Sequence, residues 1–268
     1  MIIEYHRPNN IEDALRLLSR SQPVTVPLAG GSAVNQPSPQ QVAVVDLQSL
    51  RLDTYQLHGK DLELGATLTL QSLLERINST TPTNVGIIHA FTRAVQHEAT
   101  YNLRQVATIA GTLVSADGRS PFTTVMLALD ATVIHLSTSN GIKEERIGLG
   151  DLLPFRREIL QGSLITRVVI PAQVILAYES VARTPSDLPI VCVAVTKWPS
   201  GRTRVSLGGY GREPCLAFDG SEAQGAEISA EDAYSHASDE WASAEYRSDL
   251  ARILTKRCIE ILEEQGQA

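Results

Sequence analysis

The stretch that most constrains this chain runs from Arg104 to Asp130: Arg-Gln-Val-Ala-Thr-Ile-Ala-Gly-Thr-Leu-Val-Ser-Ala-Asp-Gly-Arg-Ser-Pro-Phe-Thr-Thr-Val-Met-Leu-Ala-Leu-Asp. Thr108, Ile109, Ala110, Gly111 and Thr112 read as a small-residue loop, and residues 115–120 as a second, polar loop. An apolar run over 125–129 and a strand over 131–136 follow. Loops of Thr, Ser and Gly leave backbone N–H groups uncovered, and such nests suit a pyrophosphate. A shorter loop of the same kind, Ala29-Gly30-Gly31-Ser32-Ala33, follows a strand expected over 23–28. The two loops are expected to face each other across one phosphate-bearing ligand.

Taken alone, the Ala29–Ser32 loop reads equally well as a strand-ending turn. The chain has no GxGxxG fingerprint and no GxxxxGK[ST] loop, so a phosphate here calls for a different fold from either. A GxSxG elbow is absent and the carboxylates are scattered, which leaves no self-contained catalytic centre. His89 and His97 read as satisfied or solvated helix histidines, because no HExxH spacing accompanies them. The chemistry is therefore expected to come from a bound cofactor. A net charge of −7 argues against nucleic acid but not against backbone capture of a phosphate. Three dispersed cysteines form no CxxC pair, fit reduced thiols, and fall short of the four an iron–sulfur cluster takes. With neither a membrane-length apolar run nor a basic-then-apolar leader, the protein is expected to be cytoplasmic.

In chain order, the start reads as a turn, with Asn10 capping a helix over 11–19. A turn at Pro37 and Pro39, strands over 42–47 and 61–66, and helices over 70–78 and 84–97 follow. Residues 151–158 read as a polar surface segment, and 164–170 as the closing strand of a mixed α/β unit spanning 1–172. From residue 173 the texture changes to strands over 175–183, 188–198 and 203–210, an irregular link at Pro214, and helices over 229–241 and 244–264. That predicts a small C-terminal α+β domain, 173–268, with a three-stranded antiparallel sheet. Cys192 and Cys258 read as core packing.

Several stretches, in order and spacing, carry a family resemblance: Tyr5-His-Arg-Pro8, Leu28-Ala-Gly-Gly-Ser32, Leu64-Gly-Ala-Thr-Leu-Thr69 and Leu103-Arg-Gln-Val-Ala-Thr-Ile-Ala-Gly111. Leu127-Ala-Leu-Asp-Ala131, Val169-Ile-Pro171, Leu207-Gly-Gly209 and Glu245-Tyr-Arg247 continue it. Over nearly its whole length the chain resembles the FAD-binding (medium) subunit of the molybdenum hydroxylases, the group of carbon monoxide dehydrogenase and xanthine dehydrogenase. The resemblance implies an α+β, two-subdomain FAD-binding fold of the PCMH type, with subdomains at about 1–55 and 56–172. It implies FAD as cofactor, held by Ala29, Gly30, Gly31, Ser32, Ala33, Thr108, Ile109, Ala110, Gly111 and Thr112, with Asp117 and Ile165 completing the set. It further implies an oxidoreductase subunit in a multisubunit complex. Electrons would reach the flavin from the iron–sulfur clusters of a small subunit, fed by a large subunit that carries the molybdenum cofactor, and leave to an external acceptor. Two positions depart from the pattern. Ala110 replaces a glycine, at a cost of roughly 1 kcal/mol if the backbone there needs φ > 0. Pro121 stands where the family carries an aspartate. These departures leave a second reading, a flavin-free structural or assembly subunit with a degenerate site.

Overall fold

The chain opens on a strand rather than a turn: β1 (Ile2–His6) lies parallel to β3 (Val42–Asp46), which also pairs in parallel with β2 (Thr25–Leu28). In this computed structural model, residues 1–34, 40–80, 85–138 and 141–267 are described; the turn expected at Pro37 and Pro39 lies outside them. Between β1 and β2, helix α1 (Ile11–Leu18) starts where the Asn10 side chain accepts the Asp13 N–H at 2.8 Å. It buries Ala14, Leu15 and Leu18 against Val45, Leu47 and Leu164, the apolar stripe that its spacing predicts.

Next come β4 (Tyr55–His58), β5 (Asp61–Gly65), α2 (Leu70–Thr80), α3 (Val85–Glu98), α4 (Tyr101–Arg104) and α5 (Ile109–Ser115). After them run α6 (Pro121–Ala128), β6 (Thr132–Ser137), β7 (Lys143–Gly148), α7 (Leu149–Ile159) and β8 (Leu164–Pro171). A five-stranded sheet takes the order β4-β5-β8-β6-β7. Its edge strands escaped the sequence reading because Tyr-Gln-Leu-His and Lys-Glu-Glu-Arg-Ile-Gly are mostly exposed. The segment expected to be polar surface is α7, bent at Phe155 beside the internal Pro154.

The C-terminal sheet holds β9 (Ile175–Val181), β10 (Val191–Lys197), β11 (Thr203–Gly208) and β12 (Cys215–Gly220), all antiparallel, in the order β12-β11-β10-β9. It therefore has four strands: the stretch after Pro214 pairs with β11 instead of wandering. Helices α8 (Ala226–Ala233) and α9 (Ala244–Gln267) cover it. Helix α8 stops short of the expected residue 241 because the chain beyond it wraps a fully buried guanidinium. Arg247 donates to the carbonyls of Ala237 (2.8 Å), Ala242 (3.1 Å) and Ile190 (3.3 Å) and to the Asp239 carboxylate (2.7 Å).

The chain gathers into two units. The first comprises Met1–Leu73, Tyr101–Ser115 and Thr132–Ile170; the second comprises Leu74–Thr100, Ala116–Ala131 and Pro171–Ala268. Helices α3 and α6 thus pack with the C-terminal sheet. Arg93 of α3 donates to the Tyr178 carbonyl at 3.0 Å, and Ser206 of β11 donates to the Thr124 carbonyl at 2.6 Å. All eight residues of α6 are buried, as its apolar circumference requires. Cys192 and Cys258 are packed in this unit, and burial pushes the Cys192 thiol up to about 12.

Candidate functional site

Two of the sequence's candidate loops meet within the first unit. Strand β2 ends at Leu28, whose carbonyl accepts the Leu47 N–H at 3.0 Å, and the chain then leaves the sheet as Ala29-Gly-Gly-Ser-Ala33. A Cβ on Gly30 would fall 1.5 Å from the Val106 carbonyl oxygen and 2.5 Å from its carbon. No side chain fits between those two backbones, so the glycine is what seats the loop on the segment leading to Thr108. Gly31 follows at φ +74°, in the left-handed region that favours glycine. Among the described residues, no protein acceptor takes the N–H of Ala29, Gly30, Gly31, Ser32 or Ala33, and none of the five is buried. Five successive open amides make a donor set of the kind that suits a pyrophosphate.

The Thr108–Thr112 stretch is built differently from the loop expected. It is the start of α5, anchored through the Thr69–Thr108 bridge. Ile109 N–H goes to Leu68 O (2.9 Å), Ala110 N–H to Ala66 O (3.1 Å) and Thr112 N–H to Thr108 O (2.8 Å). The Thr108 hydroxyl takes the Gly111 N–H at 3.2 Å. These amides are spent inside the protein, so the open donors lie on the Ala29–Ala33 side. Ala110 is half-buried and Gly111 exposed, while Thr108 and Thr112 are buried. Ala110 is not among the residues at positive φ, so alanine carries no backbone cost there.

Asp117 belongs to the second unit, on a tightly fastened loop, residues 116–120. Its Oδ1 accepts the Arg119 N–H at 2.8 Å, and its side chain is exposed. Gly118 lies flat against the Tyr210–Gly211 backbone, where a Cβ would meet the Tyr210 carbonyl oxygen at 2.0 Å. Arg119 donates to the carbonyls of Leu188 (2.6 Å) and Pro189 (3.2 Å), and its guanidinium lies 4.7 Å from the Trp241 ring centroid. Ser120 caps α6, and Pro121 is the first residue of that helix. A missing N–H is harmless at that position. Ile165 sits on β8 opposite His135, 7% exposed.

Sequence reasoning missed two contacts, one to each of these stretches. Val106 acts through its carbonyl alone, which leaves no mark on side-chain pattern. Glu98 ends α3 and reaches Ser120 and Phe122; the sole hint was an acidic residue closing a helix without other acids. Burial raises its carboxyl above the usual range. His97, read as a satisfied helix histidine, lies 3.2 Å from the Ser180 hydroxyl and 3.4 Å from the Tyr178 hydroxyl. Burial, with Arg93 nearby, lowers its pKa.

Among known proteins, a solved structure of reconstituted CO dehydrogenase from Oligotropha carboxidovorans superimposes with a TM-score of 0.81 at 24% identity, covering 98% of each chain. The nicotine 6-hydroxylase medium subunit of Paenarthrobacter nicotinovorans is 27% identical, over 96% of this chain and 96% of its own. A xanthine dehydrogenase from Blastobotrys adeninivorans is 28% identical over 62% of this chain, which spans only 13% of that longer protein. Residues 1–173 match the FAD-binding domain of molybdopterin dehydrogenases. With its mixed α/β architecture and the open amides after β2, this chain belongs to that family, and its cofactor is FAD.

Proposed function

We propose that this chain is the flavin-carrying electron-transfer subunit of a molybdenum-hydroxylase-type oxidoreductase complex, passing electrons from a partner's iron–sulfur clusters to an external acceptor. The run of five unclaimed amides from Ala29 to Ala33, seated on Val106, carries the reading. In it, those amides hold the pyrophosphate. Ala110 and Gly111 offer a surface of almost no side chain, with Thr108 and Thr112 fixing the helix start behind them. Ile165 supplies apolar support. When bound, FAD supplies the capacity to accept electrons as a pair and release them singly or together; the residues of this chain bind and orient it. The partners are an iron–sulfur small subunit and a molybdenum-cofactor large subunit, and a cytoplasmic setting is part of the same proposal. Among the described residues, no helix is long and apolar enough to cross a membrane.

Two observations weigh against the flavin-free reading: Ala110 sits in ordinary helical backbone, and Pro121 sits at a helix start that needs no N–H. The test is to purify the chain, add FAD, remove the excess and record visible absorption. About one flavin per chain, reduced when the partner subunits and their substrate are supplied, is the expected result. Uptake of none overturns the proposal.

A further inference from the structure

We propose that the cavity at the C-terminal end of α9 is a binding site for a small aromatic carboxylate, with Trp198 stacking on the ring and the Lys197 ammonium pairing with the carboxylate. The cavity lies wholly within the second unit, between the start of β9, the turn joining β10 to β11 and the last turns of α9. Its volume, about 630 Å³, is that of a small-molecule site. Val174 and Leu262, both buried, and the partly buried Ile175 give it an apolar lining.

The sequence places a charge there in a strand face that is otherwise apolar. Val193 and Val195 of β10 belong to the core that α9 covers, and Lys197, two positions on, projects from the same face. Its neighbours across the sheet are Ile175 of β9 and Thr203 of β11. Lys197 is half-buried and has no ion-pair partner among the described residues. Glu263, which also lines the cavity, is exposed and stays hydrated. A partly desolvated charge gains more from a counterion than a hydrated one does, so the cavity selects an anion.

Trp198 is set firmly beside that charge. Its N–H donates to the Arg202 carbonyl and its carbonyl accepts the Gly201 N–H, both at 2.9 Å, which closes the turn. The Arg202 guanidinium lies 4.8 Å from the indole ring centroid. That guanidinium is itself held by both Asp219 oxygens (2.9 and 2.7 Å) and by Asp130 at 3.0 Å. Arg202 does not line the cavity, so it takes one face of the indole and leaves the other to a ligand. A fixed indole face beside aliphatic side chains suits a flat aromatic ring.

The experiment titrates 2-naphthoate, and 2-naphthalenemethanol as its uncharged counterpart, into the full chain by calorimetry. The variants are Lys197→Met, Trp198→Leu and, as a control on the exposed side of α9, Lys256→Met. Naphthoate is expected to bind wild type at a single site and more tightly than the alcohol. Lys197→Met keeps the apolar stem and is expected to raise the naphthoate dissociation constant on the order of tenfold, as loss of one charge-assisted hydrogen bond would, with the alcohol unaffected. Trp198→Leu is expected to weaken both ligands, and Lys256→Met neither. Should Trp198→Leu fail to fold, naphthoate is expected to shift the indole N–H resonance of Trp198 in Trp241→Phe, where it is the one indole left. No binding of naphthoate up to about 1 mM, or equal affinity in wild type and Lys197→Met, overturns the proposal. The cavity makes no use of the open amides after β2, so FAD uptake, titrated separately, stands or falls on its own.

Discussion

Replacing Gly30 with alanine adds one methyl group where the structure has no room for it. The new Cβ would lie 1.5 Å from the Val106 carbonyl oxygen, whereas real Cβ atoms essentially never come within 3.0 Å of such a neighbour. The two backbones must therefore part by about 1.5 Å, and neither is a flexible side-chain tip that can swing away. Overpacking of this kind costs about 1–3 kcal/mol, which for a chain of this size lowers the thermal midpoint by about 2–4 °C per kcal/mol. Gly59→Ala is the matched control. Gly59 sits at φ +62° with nothing within 4 Å of an added methyl, so it reports left-handed strain alone, about 1 kcal/mol. Gly30 is not at positive φ, so its cost is all contact. The assay is thermal unfolding by circular dichroism, followed by FAD titration of each variant. Gly30→Ala is expected to melt lower and to bind FAD more weakly, because the open amides move away from α5. Gly59→Ala is expected to melt slightly lower with unchanged affinity. Wild-type melting and affinity in Gly30→Ala would refute the seating of this loop on Val106.

Removing the Arg247 side chain takes the guanidinium away from the Asp239 carboxylate, which keeps only the Trp241 and Ala242 N–H groups, and away from three carbonyls in the second unit. Arg247→Ala is expected to cost about 3–5 kcal/mol and to shift Trp241 emission to the red, since Trp241 lies between two of those anchor points; unchanged urea unfolding would contradict this. His135 is 2% exposed, and burial lowers its pKa below the ordinary histidine value. The native state therefore holds fewer protons than the unfolded chain as pH falls through about 6.5, so stability is full above that pH and declines below it. Urea unfolding at pH 5.5 and 7.5 is expected to show a smaller difference in His135→Phe than in wild type. An equal difference in the two proteins would show that His135 does not contribute. His97 shifts in the same direction, so some pH dependence remains in the variant.

Periodicity and capping were legible wherever one residue's chemistry decides the local backbone. Asn10 announces α1, the leucines and isoleucine of α2 announce its buried face, and the Val-rich runs of β3 and β10 announce buried strands. Short, exposed edge strands such as β1, β4 and β7 were not, because their partners rather than their own side chains make them strands. Helix α5 was misread as a loop since Thr-Ile-Ala-Gly-Thr has weak helix propensity; the carbonyls of Ala66 and Leu68, about forty residues upstream, hold its first turn.

The sequence by itself determined the family and the cofactor, through the order and spacing of its small-residue motifs, and it identified the Ala29–Ala33 and Thr108–Thr112 stretches as a pair. Only the tertiary structure decided how the two differ. The amides of α5 are already paired, while those after β2 are open, because a hydrogen-bond partner distant in sequence is invisible to local pattern. The same reason hid Val106 and Glu98, and it explains why Ala110 and Pro121, odd as letters in a motif, are ordinary residues in the helices that hold them.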